Sequence, residues 1–197
     1  MNGSIRLIAP YAVWMVLMAA LPATATAYAV RTAATAALLA AGASKVLSPP
    51  RPSGSRLKSS LLPGLLVGLA VFAIWILPEQ FDVPFYRRFC IIGEGGTQAV
   101  AEAGAAMIAI RLVGSAFVIS VAEELFFRKW LIGFAGFWWM VGLFAVEHDR
   151  WLVATLCGIA YGWLYLRKGL LSAIVAHATT NLVLGLWVLK TGQWQFW

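Results

Sequence analysis

Two adjacent carboxylates, Glu123 and Glu124, follow the apolar run 112–122 of this 197-residue sequence. A charge inside a bilayer costs a few kcal/mol on insertion scales, so an ionisable residue that persists there is a candidate for function and needs a partner. Arg128 comes four residues after Glu124, which is the favourable order for an ion pair on one helix face. Glu123 points about 100° away from that pair. Its carboxylate is therefore free for another role.

The chain has only two histidines, and each stands beside a group with which it could act. His148 lies one helical turn after Phe144, whose ring could pack beside the imidazole. His177 and Asn181 share a helix face inside the last apolar run, so their side chains can converge on one point. Each cluster alone also has a structural interpretation, as an ion pair, a solvated helix end or a hydrogen bond between helices. Their conjunction favours a functional site.

The elements that position these residues are membrane helices. Hydrophobic residues make up 61% of the chain and charged residues 12%, whereas soluble domains contain about 45–50% and about 25%. The net charge of +7 comes from basic residues between apolar runs, which indicates membrane topology rather than nucleic-acid binding. The two cysteines form no disulfide framework and no metal-spacing motif.

Seven apolar stretches are long enough to be helices, and none alternates as the strands of a closed barrel would. They cover 7–28, 31–47, 61–78, 98–130, 131–147, 151–166 and 169–190. The sequence predicts an all-α fold, a multi-pass transmembrane helical bundle of about seven membrane helices, with six to eight as the range. We expect amino-terminal transmembrane helices in residues 1–97, with a basic linker at 48–60, and a helical core in 98–190, within a single integrated membrane domain.

The distribution of basic residues predicts a cytoplasmic amino terminus and linker. We expect the first apolar run to stay as an uncleaved membrane helix, although the small residues 23–27 resemble a signal-peptidase site. If every segment crossed the membrane, Glu123 and His148 would lie about 25 Å apart, too far for one site. We therefore expect segment 131–147 to be a short helix that does not span, with the turn at Gly133–Gly136.

In chain order, the three clusters resemble the motifs of the CPBP intramembrane proteases, the CAAX-protease and bacteriocin-processing, Abi-like family. The motifs are EExxxR at 123–128, FxxxH at 144–148 and HxxxN at 177–181. The resemblance covers about residues 100–185, and the first 97 residues carry no family motif. The segment 158–169 also looks like the family's approach to its HxxxN helix.

The resemblance implies a glutamate-dependent endopeptidase that needs no cofactor and no nucleophilic Ser or Cys. Glu123 would be the general base, and His148 would help it to activate a water molecule. His177 and Asn181 would stabilise the oxyanion. The supporting positions would be Glu124, Arg128 and Phe144. The substrate would be a membrane- or lipid-anchored protein or peptide, cut near its carboxy-terminal end at a cell membrane, here expected to be a bacterial inner membrane.

Three alternatives remain at this point. Glu123, His148 and His177 form a zinc ligand set by residue type, which would make a metal-dependent protease. No HExxH-like pair fixes two ligands on one helix turn, which weighs against this alternative. The chain could instead be a non-enzymatic immunity or scaffold protein that keeps the polar cluster for packing. A small transporter with these residues as a proton relay is the third alternative, although no internal repeat supports it.

Overall fold

A computed structural model describes residues 3–46, 54–92 and 104–197, and within these ranges the chain is helical, without strands. The helices are α1 Gly3–Ala20, α2 Ala25–Val46, α3 Gly54–Gln80, α4 Pro84–Phe89, α5 Ala105–Ala135, α6 Phe137–Val146, α7 Trp151–Lys168 and α8 Leu170–Thr191, followed by a 3-10 turn at Trp194–Phe196. The predicted all-α, multi-pass bundle is confirmed.

Four helices in the described ranges, namely α1, α3, α5 and α8, are long and apolar enough to cross a membrane. Helix α6 is apolar but has only 10 residues, which gives it a length of about 15 Å. That is about half the thickness of the hydrocarbon core. The expectation that the segment before His148 is a short helix is therefore confirmed.

The predicted boundary between the first two segments is wrong, because the run 7–28 is divided between α1 and α2. Helix α1 ends at Ala20 and α2 begins at Ala25. Pro22 has no N–H group and disfavours helical backbone at Leu21. The backbone N–H of Ala27 then donates to Thr24 Oγ1 at 3.2 Å and so satisfies one free donor at the start of α2.

The predicted boundary at 130/131 is also wrong, because α5 continues without a break to Ala135. The chain turns at Gly136, whose φ of 95° and ψ of 170° are compatible only with glycine. This residue lies within the predicted turn at Gly133–Gly136. The basic linker is also shorter than expected, since residues 54–60 belong to α3, and its remainder at 48–53 lies outside the described residues. Residues 98–103 of the predicted core lie outside them too.

Helix α8 packs closely against α3, and this contact sets the position of the polar residues on α8. A Cβ atom at Gly68 would lie 2.5 Å from the Ala176 carbonyl oxygen and 2.7 Å from Thr179 Cβ. Thr180 Oγ1 donates to the Gly68 carbonyl oxygen at 2.8 Å. Only glycine permits this close approach, and small residues serve the same purpose in other membrane proteins.

Candidate active site

Glu124 and Arg128 form a fully buried ion pair on α5. Arg128 Nε lies 3.2 Å from Glu124 Oε2, and both side chains have zero solvent exposure. His177 Nδ1 lies 2.8 Å from Glu124 Oε1, so α8 is joined to α5 at this point. The guanidinium carbon of Arg128 lies 4.3 Å from the centre of the Phe144 ring. The two charges therefore balance each other, although Arg128 Nη1 and Nη2 are buried without a hydrogen-bond partner among the described residues.

The helix that carries these residues is not a regular α-helix. Residues Gly114–Ile119 and Glu124–Leu131 of α5 are π-helical, a geometry that often occurs at functional sites. The first π segment leaves the Ser115 carbonyl oxygen available to side chains, and Ser120 Oγ donates to it at 3.0 Å. Asn181 Nδ2 donates to the same oxygen at 3.0 Å and to Ser120 Oγ at 3.1 Å.

Glu123 lies beside the ion pair but has a different environment. Its Oε2 atom is buried, has no hydrogen-bond partner among the described residues, and lies 3.8 Å from His177 Nε2. One ligand atom each from Glu123, Glu147 and His148 lie within 4.8 Å of one another. A single water molecule can bridge groups at this separation with two ordinary hydrogen bonds. The short helix α6 therefore removes the separation of about 25 Å that a full crossing would impose.

The tautomer of His148 follows from its contacts. His148 Nδ1 lies 2.7 Å from the Phe144 carbonyl oxygen, which can only accept a hydrogen bond, so Nδ1 carries the proton. Burial lowers the pKa of His148 to about 4. The imidazole is therefore neutral at pH 7, and its Nε2 atom is a free acceptor. The Phe144 and Trp75 rings flank it, with centroids 4.6 Å and 5.7 Å away.

The candidate catalytic residues share one cavity of about 170 Å³, which Glu123, His148, His177 and Asn181 all line. Aromatic side chains from α3, α7 and the carboxy-terminal turn also line it: Trp75, Tyr161, Phe196 and Trp197. A second cavity of about 130 Å³ lies against α1, and Glu123 and His148 line this one as well. The two residues therefore stand between two cavities.

Several contacts of the site could not be anticipated from the motifs. The Tyr161 ring stacks on His177 with centroids 5.0 Å apart, and its hydroxyl donates to Thr180 Oγ1 at 2.6 Å. On the other side of the site, the Tyr11 hydroxyl donates to Glu147 Oε2. Position 147 adjoins a motif residue, which is a weak signal for it. No sequence signal marks Tyr11, which lies 136 residues away from Glu147.

Glu147, Glu123 and His148 are the three neighbouring side chains with the ligand types of a metal site. The zinc set considered from the sequence had His177 in place of Glu147. His177 Nδ1 faces Glu124, which leaves Nε2 for a metal, but among the described residues the group of close ligand atoms contains Glu147 and not His177. Burial raises the pKa of Glu147 to about 9, so this group is a neutral acid at pH 7. A metal ion would have to displace its proton, because carboxylates bind metals in the deprotonated form.

Residues 105–183 match the family model described as type II CAAX prenyl endopeptidase Rce1-like. The matched segment includes Glu123, His148, His177 and Asn181, whereas α1 and α3 lie outside it. No curated protein and no solved structure is significantly similar to the chain. Together with the four helices of membrane-spanning length, the match identifies residues 105–183 as an Rce1-like domain of the CAAX-type intramembrane protease family, carried by an integral membrane protein.

Proposed function

We propose that the protein is a glutamate-dependent intramembrane endopeptidase that cuts a membrane- or lipid-anchored protein near its carboxy-terminal end. One observation carries this proposal: Glu123, His148 and His177, from three separate parts of the chain, line one cavity. The family match supports proteolysis, and its name describes an endopeptidase for prenylated CAAX proteins. The proposal requires an anchored substrate but no particular lipid.

Glu123 and His148 activate the attacking water. The neutral His148 ring accepts one hydrogen bond at Nε2, since its Nδ1 proton is held by the Phe144 carbonyl oxygen. The Glu123 carboxylate accepts the other hydrogen of the same water. The water oxygen then attacks the carbonyl carbon of the substrate while Glu123 takes its proton, which is general-base catalysis without a covalent intermediate.

His177 donates a hydrogen bond to the oxyanion. Its Nδ1 proton is directed to Glu124, so donation from Nε2 requires a second proton on the ring. The Glu124 carboxylate, itself paired with Arg128, stabilises that imidazolium and fixes its orientation. Phe144 packs against the rings of both histidines, with centroids 4.6 Å from His148 and 6.2 Å from His177.

Asn181 is the second donor in this proposal. Both of its N–H groups are engaged by Ser115 and Ser120, so an oxyanion must take over one of these two bonds. An oxyanion is a stronger acceptor than a carbonyl or hydroxyl oxygen, and the exchange leaves Ser115 O with the Ser120 hydroxyl as a partner. Asn181 therefore contributes less ground-state preorganisation than His177.

The test is cleavage of a substrate with a carboxy-terminal membrane anchor by membranes that contain the wild type, Glu123→Gln or His148→Ala. We expect each variant to lose about 10²–10⁴-fold in rate at an unchanged level of folded protein. Asp82→Asn is the matched control, because Asp82 is exposed, pairs with Arg87 at 2.9 Å and has a φ of 49° that asparagine tolerates. It should retain full activity.

The same experiment separates the alternatives. Activity that survives a chelator excludes a metal-dependent protease, and loss of activity with recovery on adding zinc would support one. Cleavage that persists in Glu123→Gln would contradict the assignment of the base. If Glu123→Gln lowers the amount of folded protein and no substrate is cut by the wild type, the cluster has a structural role, as in a scaffold or immunity protein.

A further inference from the structure

The second cavity lies on the side of Glu123 and His148 that faces α1. Its remaining lining residues are Tyr11, Trp14, Met15 and Met18 of α1, together with Glu147. Met15 and Met18 are apolar, and Trp14 has one N–H donor that does not titrate. The titratable groups in this cavity are therefore Tyr11, Glu123, Glu147 and His148, and the proposed function uses only Glu123 and His148.

Glu147 is held in one orientation by α1. The Tyr11 hydroxyl donates to its Oε2 atom, while Oε1 is buried and has no hydrogen-bond partner in the described part of the chain. Oε1 lies 3.8 Å from His148 Nδ1, beyond hydrogen-bond distance, and that nitrogen already donates to Phe144. Since Oε2 accepts from Tyr11, the acid proton belongs on Oε1, where no protein acceptor holds it.

Hydrolysis of an amide has a second requirement besides activation of the water. The carbon–nitrogen bond of the tetrahedral intermediate breaks easily only when the nitrogen receives a proton. In the proposed function the oxyanion faces His177 in the first cavity. Glu123 and His148 also line the second cavity, together with Glu147, so a substrate held in this way can direct its leaving nitrogen towards Glu147.

We propose that Glu147 is the acid that protonates the leaving amine, and that Tyr11 is the residue that positions it. This proposal rests on the proposed function. It gives a catalytic role to Glu147, which lies outside the three motifs, and a positioning role to Tyr11 of α1. The O–H bond of Glu147 breaks as the N–H bond forms and the C–N bond breaks. Glu147 is left as a carboxylate, and Glu123 is left with the proton of the water. Transfer of that proton from Glu123 to Glu147 restores both groups.

The test uses the full-length protein reconstituted in lipid vesicles and compares two substrates that differ in their leaving group. One substrate is an anchored peptide, and the other is identical except for a thioester at the scissile bond. A thiolate leaves without a proton because thiols ionise near neutral pH, whereas an amine does not. Loss of the acid should therefore slow the amide much more than the thioester, and loss of the base should slow both.

We expect Glu147→Gln to lower kcat/KM for the amide by about 100-fold and for the thioester by less than about threefold. Tyr11→Phe should lower it for the amide by about fivefold, with little change for the thioester. Tyr28→Phe is the matched control. It removes a phenol hydroxyl that donates to the Arg111 carbonyl oxygen at 3.2 Å and keeps the ring that packs on Trp14. Tyr28 itself lines neither cavity, so the change should alter neither rate.

Three results would overturn the inference or its basis. Equal losses on both substrates in Glu147→Gln and Tyr11→Phe would mean that the pair has only a structural role. No loss on either substrate would mean that Glu123 returns the water proton to the amine alone. If Glu123→Gln cleaves both substrates normally, the proposed function itself fails, and this outcome is distinct from the other two. Tyr11→Phe keeps the inference testable if Glu147→Gln does not fold.

Discussion

Adjacent carboxylates at positions 123 and 124 have different environments and therefore different chemistry. Both oxygens of Glu124 face cationic or N–H donors, from Arg128 and His177. Glu123 instead lines both cavities. The charge of Glu124 is thus balanced within a buried ion pair, whereas Glu123 can reach a water molecule in either cavity. This difference supports the assignment of the base to Glu123 in preference to Glu124.

The burial of Glu147 and His148 predicts how the stability of the folded protein depends on pH. Burial raises the pKa of Glu147 from 4.5 to about 9 and lowers that of His148 from 6.5 to about 4. The contribution of Glu147 to the free energy of unfolding is largest below pH 4.5 and is lost as the pH rises to about 9. Between these values the unfolded chain has already released the proton, whereas the folded protein still holds it. His148 acts in the opposite direction, but only below pH 6.5. Above that pH only the Glu147 effect remains.

We therefore expect the apparent Tm of the wild type in detergent, relative to that of Glu147→Gln, to fall between pH 6.5 and 9. The measurement is thermal unfolding of both proteins across this range, with Asp82→Asn as the control for a change in net charge. A Tm difference that stays constant from pH 6.5 to 9 would mean that Glu147 is already ionised in the folded protein.

Some of these residue contacts can be predicted from sequence and others cannot. The spacing of Glu124 and Arg128 on one helix fixes their contact, and the structure contains that ion pair. The contact between Tyr11 and Glu147 joins residues 136 positions apart, and it depends on how α1 packs against α5 and α6. No local rule specifies such a contact, so the acid and its positioning residue emerge only from the fold.

At the scale of elements, the shortness of α6 decides whether a site can form. Because α6 has only 10 residues, His148 stays at the depth of Glu123. A helix that crossed the whole membrane would carry His148 to the other face. The apolar run alone does not reveal where α5 ends and α6 begins, because 98–147 is hydrophobic almost throughout. The glycines restrict the turn to a few positions, and the positive φ at Gly136 selects one of them.

The turn at Gly136 yields a prediction with a matched control. Its φ of 95° and ψ of 170° are nearly inaccessible to other residues. A non-glycine residue held in such a backbone conformation costs about 1–3 kcal/mol. Gly136→Ala should lower the free energy of unfolding by that amount, shift α6 and with it His148, and reduce cleavage. Gly133→Ala is the control, since Gly133 is helical and a Cβ there meets nothing within 4 Å.

Gly133→Ala should be neutral or stabilising by up to about 1 kcal/mol, because alanine has the higher helix propensity. Unfolding in detergent and the rate of cleavage per folded molecule measure the two effects. If Gly136→Ala is as stable and active as Gly133→Ala, the turn does not constrain the position of His148.

At the scale of the whole molecule, the site lies deep in the bundle and uses more of the chain than the family domain. Glu123 is 12 residues before the end of α5 at Ala135, which is at most about 18 Å along the helix at the α-helical rise. The second cavity is walled by α1, and Trp75 of α3 lines the first. Both helices precede the matched residues 105–183. The motifs therefore predict the reacting groups, while the amino-terminal helices provide walls that no motif describes.

The depth of the site predicts a strong preference for substrates that are already in the membrane. Large apolar residues cover the outside of the bundle, among them Leu62, Leu66, Phe117 and Leu186, and face the lipid as expected for spanning helices. A peptide in water must leave its solvent to reach Glu123, whereas an anchored peptide is confined near the site. Confinement raises the effective concentration and should increase kcat/KM by about 10²–10⁴-fold.

This prediction is tested with one scissile sequence, carried either by an anchored peptide or by the same peptide without its anchor, both added to vesicles that contain the wild-type protein. The difference should appear mainly in KM, because the reacting groups and the water are the same for both substrates. Glu123→Gln gives the background for each substrate. Equal kcat/KM values for the two peptides would mean that the cavity is open to water and that the membrane contributes nothing to substrate capture.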